Sequence, residues 1–184
     1  MGWTSSAELA VVYLHTMSLK CESNDQPLRE ELDKITDDYA DSDKHLHDQI
    51  ALIANLARKY DASISLVHEI KPCEPNFTCY QHSFFMNENW HVILGREFIQ
   101  YLVETRLEEI PIADARDDDH ILYISWRIEH AGKVAQGAVE SKWGRAHLWR
   151  HGVFELPRRY GDSVRFFRHI SKEEAIQAFH EYTK

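Results

Sequence analysis

One cysteine lies where a helix would activate its thiol. Cys79 follows a loop that contains Pro72 and Pro75, and it enters the apolar run 78–86, which we predict to be a buried helix. In a helix's first turn, unpaired N–H groups and the positive end of the dipole favour a thiolate and can hold an oxyanion. Cys79 is therefore the candidate nucleophile. The alternative is that Cys79 is a small apolar residue of the protein core with no chemical role.

A histidine further along the chain supplies a matching base. His130 stands at a predicted strand start and is followed by Ala131 and Gly132, whose small side chains leave room around the imidazole. Imidazole has an unperturbed pKa of about 6.5, which suits proton transfer from a thiol near neutral pH. We expect His130 to serve as the base for Cys79.

The next strand supplies a third polar residue. If residues 136–137 form a two-residue hairpin turn, His130 lies opposite Trp143, and Ser141 is its diagonal neighbour on the same face. Ser141 could then orient the imidazole. A three-residue turn would reverse the faces and bring Glu140 or Lys142 to that face, and Glu140 is a stronger hydrogen-bond acceptor than Ser141. We place Ser141 ahead of Glu140, and both remain open.

These residues give the chain a family resemblance over about residues 75–168. The segments that carry it are Cys79-Tyr80, His130-Ala131-Gly132-Lys133-Val134, Ser141-Lys142-Trp143-Gly144, His147-Leu148-Trp149-Arg150-His151 and Leu156-Pro157-Arg158-Arg159-Tyr160-Gly161. In order and type they resemble papain-like cysteine hydrolases of the NlpC and CHAP type. The resemblance implies an α+β, papain-like fold, with Cys79 as nucleophile, His130 as base and Ser141 as the orienting residue.

The reaction that follows from this resemblance is hydrolysis of an amide bond through a thioester. The substrate would be a peptide or protein, cleaved at a peptide bond, an isopeptide bond or a glutamine-like side chain. Deamidation and acyl transfer use the same intermediate, so they remain open.

Two other functions compete with the enzyme. The first is a non-catalytic interaction module, whose binding surface would consist of Trp143, Trp149 and the arginines near them (Arg145, Arg150, Arg158 and Arg159). The second is a metal site formed by His147 and His151, which are four residues apart. Residue 148 is not the glutamate that a zinc protease would need, so we expect no metal and no other cofactor.

Composition excludes several partners. The formal net charge of the 184 residues is −9, which argues against nucleic acid. No stretch reaches the roughly 20 apolar residues of a membrane span. The start of the chain has no basic region before its apolar run, so we expect a cytoplasmic protein, with delivery by a specialised export system left open. Three cysteines are an odd number, and we expect them to be reduced thiols.

The predicted elements form a single domain. Residues 1–62 are its helical N-terminal part, and residues 63–184 are the papain-like catalytic core. Helices are expected over 7–17, 27–39, 43–60, 78–86, 98–107 and 172–182, and strands over 63–70, 121–128, 131–135, 138–143, 153–156 and 163–169. The N-terminal helices have apolar stripes, so they must pack on the mostly antiparallel sheet or bind a protein partner. We favour the sheet.

Overall fold

The structure is a computed structural model, and it describes residues 19–36, 43–70, 77–86, 94–144 and 146–184. It combines helices with an antiparallel sheet, which confirms the predicted α+β class. The helix predicted over residues 7–17 and residues 37–39 of the helix predicted over 27–39 lie outside the described ranges.

The described elements alternate between helices and strands in the first half and are mainly strands in the second. The helices are α1 (Gln26–Ile35), α2 (Asp43–Tyr60), α3 (Cys79–Ser83), α4 (Arg96–Thr105) and α5 (Lys172–Tyr182). The strands are β1 (Leu19–Lys20), β2 (Ser65–His68), β3 (Glu109–Ile110), β4 (His120–Ile124), β5 (Ile128–Ala135), β6 (Ala138–Lys142), β7 (Leu148–His151) and β8 (Ser163–Phe167). They form one sheet in the order β1-β8-β4-β5-β6-β7-β2, and β3 pairs with β8.

The sheet has two buried faces, because successive side chains of a strand point to opposite sides. The first face carries Tyr123, Val134 and Val139, which belong to one hydrophobic cluster. The second face carries Leu122 and Ala131, which belong to a second cluster. The sheet is therefore the middle layer between two sets of helices.

The N-terminal helices cover the first face. Leu28 and Leu32 of α1, and Ile53 and Leu56 of α2, are buried in the first cluster together with the sheet residues. Pro27 lies in the first turn of α1, where its missing N–H breaks no helical hydrogen bond. The apolar stripes of the described helices are thus covered by the sheet. On the second face, α3, α4 and α5 pack through Tyr80, Phe84, Phe98, Leu102, Ala175 and Ala178.

The hairpin between β5 and β6 has the predicted two-residue turn. Ala135 pairs with Ala138, and Gln136 and Gly137 have φ angles of 54° and 76°. Positive φ at both central residues is the geometry of a type I′ turn, whose twist matches that of the strands. The prediction of the register is confirmed over the pairs that join the two strands.

One predicted strand is wrong. Residues 153–156 form turns, and the strand in this region is β7, at Leu148–His151. The Glu155 carboxylate accepts hydrogen bonds from the backbone N–H groups of Gly152, at 2.8 Å, and Ser63, at 2.9 Å. The carboxylate thus stabilises the turn. In a continuing strand, these backbone N–H groups would instead donate to a neighbouring strand.

Candidate functional site

Cys79 opens a helix, as predicted. It is the first residue of α3, and the helix has a capping box in which Thr78 Oγ1 accepts from the N–H of Gln81 at 3.2 Å. Gln81 Oε1 accepts from the Thr78 N–H at 2.8 Å in return. The thiol is partly buried and packs against the cluster of the second face. The helix start is therefore confirmed, whereas catalysis by Cys79 remains a prediction.

His130 lies on the first face. It pairs with Tyr123 across β4 and β5, and its ring is stacked on Tyr160, with centroids 4.0 Å apart and planes 11° apart. The side chain is buried, and Nε2 has no hydrogen-bond partner among the described residues. Burial, together with the nearby His151 and His82, holds the pKa of His130 well below its ordinary value, so the imidazole is neutral.

The structure does not bring Cys79 and His130 together. Cys79 packs with the cluster that includes Leu122 and Ala131, and His130 packs with residues of the opposite cluster. The backbone of the sheet separates the thiol from the imidazole. Proton transfer needs the two groups within about 3 Å or bridged by one water, so this arrangement does not form the predicted pair.

Ser141 is on the same face as His130, but it contacts another imidazole. Its Oγ lies 2.8 Å from Nε2 of His151 and accepts a hydrogen bond from Nε1 of Trp143 at 3.0 Å. Nδ1 of His151 lies 2.7 Å from the Gly152 carbonyl, which can only accept, so Nδ1 carries the proton. Ser141 therefore donates to Nε2 of His151. The expectation that Ser141 orients His130 is not met.

Glu140, the alternative third residue, forms an ion pair with Arg150. Its side chain faces away from His130, and Oε1 accepts a hydrogen bond from Nη2 of Arg150 at 2.6 Å. Arg150 also donates to Gln136 at 2.8 Å. Glu140 therefore fixes the end of the β5–β6 hairpin.

His147 and His151 are structural. Nδ1 of His147 accepts from the Ile70 N–H at 3.1 Å, and its Nε2 donates to the Leu46 carbonyl at 2.8 Å. Both nitrogens are used by backbone groups, so neither is available to a metal. Within the ranges that the structure describes, no three His, Cys, Asp or Glu side chains are grouped as metal ligands.

The binding surface predicted around two tryptophans is wrong. Trp143 and Trp149 are 1% and 2% exposed, and their rings stack with centroids 5.5 Å apart in the first cluster. Of the neighbouring arginines, Arg158 pairs with Glu30 and Arg159 with Asp33. They tie the turn Arg158–Tyr160 to α1. Arg145 lies outside the described residues.

His82 is the imidazole that shares a face with Cys79, and it was not among the residues predicted from the sequence. It lies three residues after Cys79 in α3, is buried, and has no hydrogen bond at either ring nitrogen among the described residues. Burial, with contributions from Lys133 and Lys142, lowers its pKa to about 3. The C-x-x-H spacing on a helix was the signal that could have identified it.

A cleft opens on the second-face side, near the β4–β5 hairpin. Its volume is about 310 Å³, and it is lined by Arg96, Glu97, Gln100, Arg127 and Ile128. The start of α4 forms one wall, and the start of β5 forms the other. Its Ile128 wall adjoins the start of α3, because the hydroxyl of Tyr80 lies 3.4 Å from the Ile128 carbonyl.

An exposed tryptophan stands beside this cleft. Trp126 is 79% exposed, in the turn between β4 and β5, and the guanidinium of Arg127 lies 4.0 Å from the centroid of its ring. The guanidinium of Arg127 also forms an ion pair with the carboxylate of Glu129, with Nε and Oε1 3.0 Å apart. The strand predicted over residues 121–128 runs through this turn, so Trp126 was not among the predicted binding residues.

The chain matches no protein-family model, no curated protein and no solved structure. The described helices do not include one that combines the length and the apolar character needed to cross a membrane. The function therefore has to be argued from the geometry of the chain itself.

Proposed function

We propose that this protein is a binding module that recognises a peptide segment of another protein with the end of its sheet at the β4–β5 hairpin. The observation that carries the proposal is the 79% exposure of Trp126. A tryptophan ring offers roughly 150–250 Å² of surface for burial. Tryptophan is also enriched among the residues that dominate binding energies at interfaces.

The ring packs on a side chain that an ion pair holds in place. Arg127 stacks on Trp126 and is held by the carboxylate of Glu129. The turn itself is closed by a 3.1 Å hydrogen bond from the N–H of Ser125 to the carbonyl of Arg127. A side chain that is already fixed in place loses little conformational entropy when a partner covers it. The adjoining cleft adds a concave surface next to the flat face of the Trp126 ring.

The test is selection from a displayed peptide library on the full chain, followed by affinity measurement with fluorescently labelled peptides. Trp126→Ala should weaken the selected peptides by at least tenfold, as expected for a central aromatic contact. Ile112→Ala is the matched control, because Ile112 is an exposed apolar residue in another turn, and it should change the affinity less than twofold. Failure to select any peptide, or equal affinity for the Trp126→Ala variant, would contradict the proposal.

A papain-like thiol hydrolase is the second proposal. It is supported by the position of Cys79 at the start of a capped helix and by the partial exposure of its side chain. We place it below the binding module because His130 packs on the other face and His82 makes no hydrogen bond among the described residues.

The two proposals differ in the reactivity of the Cys79 thiol. Labelling with a small electrophile at pH 6, mapped by mass spectrometry, compares it with Cys21, whose pKa is raised by burial. An activated nucleophile would make Cys79 react at least tenfold faster than Cys21. Equal, slow labelling at both positions would leave only the binding module.

A further inference from the structure

The cleft beside Trp126 contains a donor that the protein does not use. Nη1 of Arg96 is buried and has no hydrogen-bond partner among the described residues. The nearest carboxylate oxygen in its ion pair, Oε2 of Glu129, is 3.7 Å away, which is too long for a hydrogen bond. Nη1 has almost no exposed surface, so a ligand in the cleft would interact with the charge of Arg96 rather than with this nitrogen.

Arg127 is arranged to recognise a carboxylate. One edge of its guanidinium is held through Nε by Glu129, and one face covers Trp126. Among the described residues, no hydrogen bond is made by its two terminal nitrogens. A guanidinium fixed in this way presents two parallel N–H groups, the geometry that binds both oxygens of a carboxylate.

The remaining walls limit the ligand to a small group with no more than one negative charge on an apolar stem. Ile128 supplies an apolar surface, and the volume of about 310 Å³ lies at the small end of ligand pockets. Glu97 and Glu129 balance the charges of the two arginines. A doubly charged phosphate would meet both carboxylates, whereas one carboxylate can reach the arginine donors with less repulsion.

We propose that the cleft binds a glutamate or aspartate side chain of the partner peptide, whose neighbouring residue covers Trp126. This inference rests on the proposed binding function and names its ligand chemistry. The acidic side chain enters over Ile128 and accepts hydrogen bonds from the two terminal nitrogens of Arg127, and the positive charge of Arg96 lies in the same cleft.

The test uses peptides selected on the full chain. Selected sequences should contain an acidic residue at a fixed distance from an apolar one. Changing that residue to its amide should weaken binding to the unmodified chain by about tenfold or more, the usual effect of losing a charge-assisted pair. With the Arg127→Gln variant, the same change in the peptide should have less than a twofold effect.

The controls separate this inference from the proposed function. Arg58→Gln, at an exposed arginine of α2, should keep the full tenfold preference for the acidic peptide. Two results would overturn the inference but not the proposed binding module. The first is that peptides which need Trp126 contain no acidic residue. The second is that their affinity does not change in the Arg127→Gln variant. Tighter binding when phosphoserine replaces the acidic residue would overturn it in favour of a phosphate site. A library that yields no Trp126-dependent peptide would overturn both proposals.

Discussion

His130 lies flat against Tyr160, with the two ring centroids 4.0 Å apart. Tyr123 packs on the same imidazole at 5.7 Å. A ring enclosed by aromatic side chains behaves as a core residue, and its neutral form is the one that burial favours. The residue that resembles a catalytic base in the sequence therefore joins the turn Arg158–Tyr160 to the sheet.

The first prediction concerns His130→Phe, which keeps an aromatic ring and removes both nitrogens. Loss of the unpartnered Nε2 should leave the stability unchanged or slightly higher, because a buried polar atom without a partner is destabilising. Labelling of Cys79 should change less than twofold, since the sheet separates the two side chains. A slowing of labelling by more than tenfold in the folded variant would re-establish His130 as the base.

The second prediction concerns Ser141→Ala. The change would leave Trp143 Nε1 and His151 Nε2 buried without their shared partner. We expect a loss of about 2–3 kcal/mol in the free energy of unfolding, in line with the cost of unsatisfied buried groups. Glu140→Gln should cost less than about 1 kcal/mol, because its ion pair with Arg150 is partly exposed to solvent. Urea denaturation measures both, and the reverse ranking would contradict the hydrogen-bond network.

Local signals in the sequence predicted part of this fold well. The helix Lys172–Tyr182 was bounded correctly by the capping box of Ser171 and Glu174, and the β5–β6 register followed from the residues of its turn. Both depend on contacts within a few residues. The parity of the hairpin likewise placed Ser141 on the face of His130.

The candidate site could not be predicted in the same way. The alternation of side chains along a strand shows which residues share a face of the sheet. It does not show which helices cover that face. The face of His130 is covered by α1 and α2, and Cys79 lies on the other side. Trp126 was missed because the register of β4 and β5 shifts between Tyr123 and Ile124, just before the turn, and the strand residues give no local sign of this.

The third prediction concerns Arg29, which is 0% exposed in α1. It donates to the carbonyls of Leu156 and Arg158, both at 3.3 Å, and to that of Gly161, and it pairs with Asp162 at 3.1 Å. Arg29→Met would remove these donors, and we expect a loss of about 3 kcal/mol in the free energy of unfolding.

Arg29→Lys is the matched variant for this prediction. Lysine keeps the positive charge, but its single ammonium group cannot reach all the carbonyls that the arginine guanidinium contacts. It should therefore recover less than half of the lost free energy of unfolding. Urea denaturation of the three proteins measures the effect. A loss below about 1 kcal/mol for Arg29→Met would show that these hydrogen bonds do not hold the turn on α1.

The last prediction concerns the pH dependence of stability, which follows from the buried histidines. Burial lowers the folded-state pKa of His82 and His120 to about 3 and that of His151 to about 4. In the unfolded chain each has a pKa of about 6.5. At pH 7.5 and above both states are essentially neutral at these sites, so stability is nearly constant there. Below it, only the unfolded chain takes up protons, and stability falls until the pH reaches the folded pKa values.

Between pH 7.5 and 5.5 each of these histidines should cost about 1.4 kcal/mol, or about 4 kcal/mol for the three together, and the buried His130 adds to this total. His82→Leu removes one of them, and with it two buried nitrogens that have no hydrogen bond among the described residues. The variant should be at least as stable as the parent at pH 7.5 and should lose about 1.4 kcal/mol less stability than the parent between pH 7.5 and pH 5.5. Urea titrations at the two pH values measure both effects. Equal stability of the parent at both values, or an unchanged pH dependence in His82→Leu, would show that these imidazoles accept protons in the folded protein.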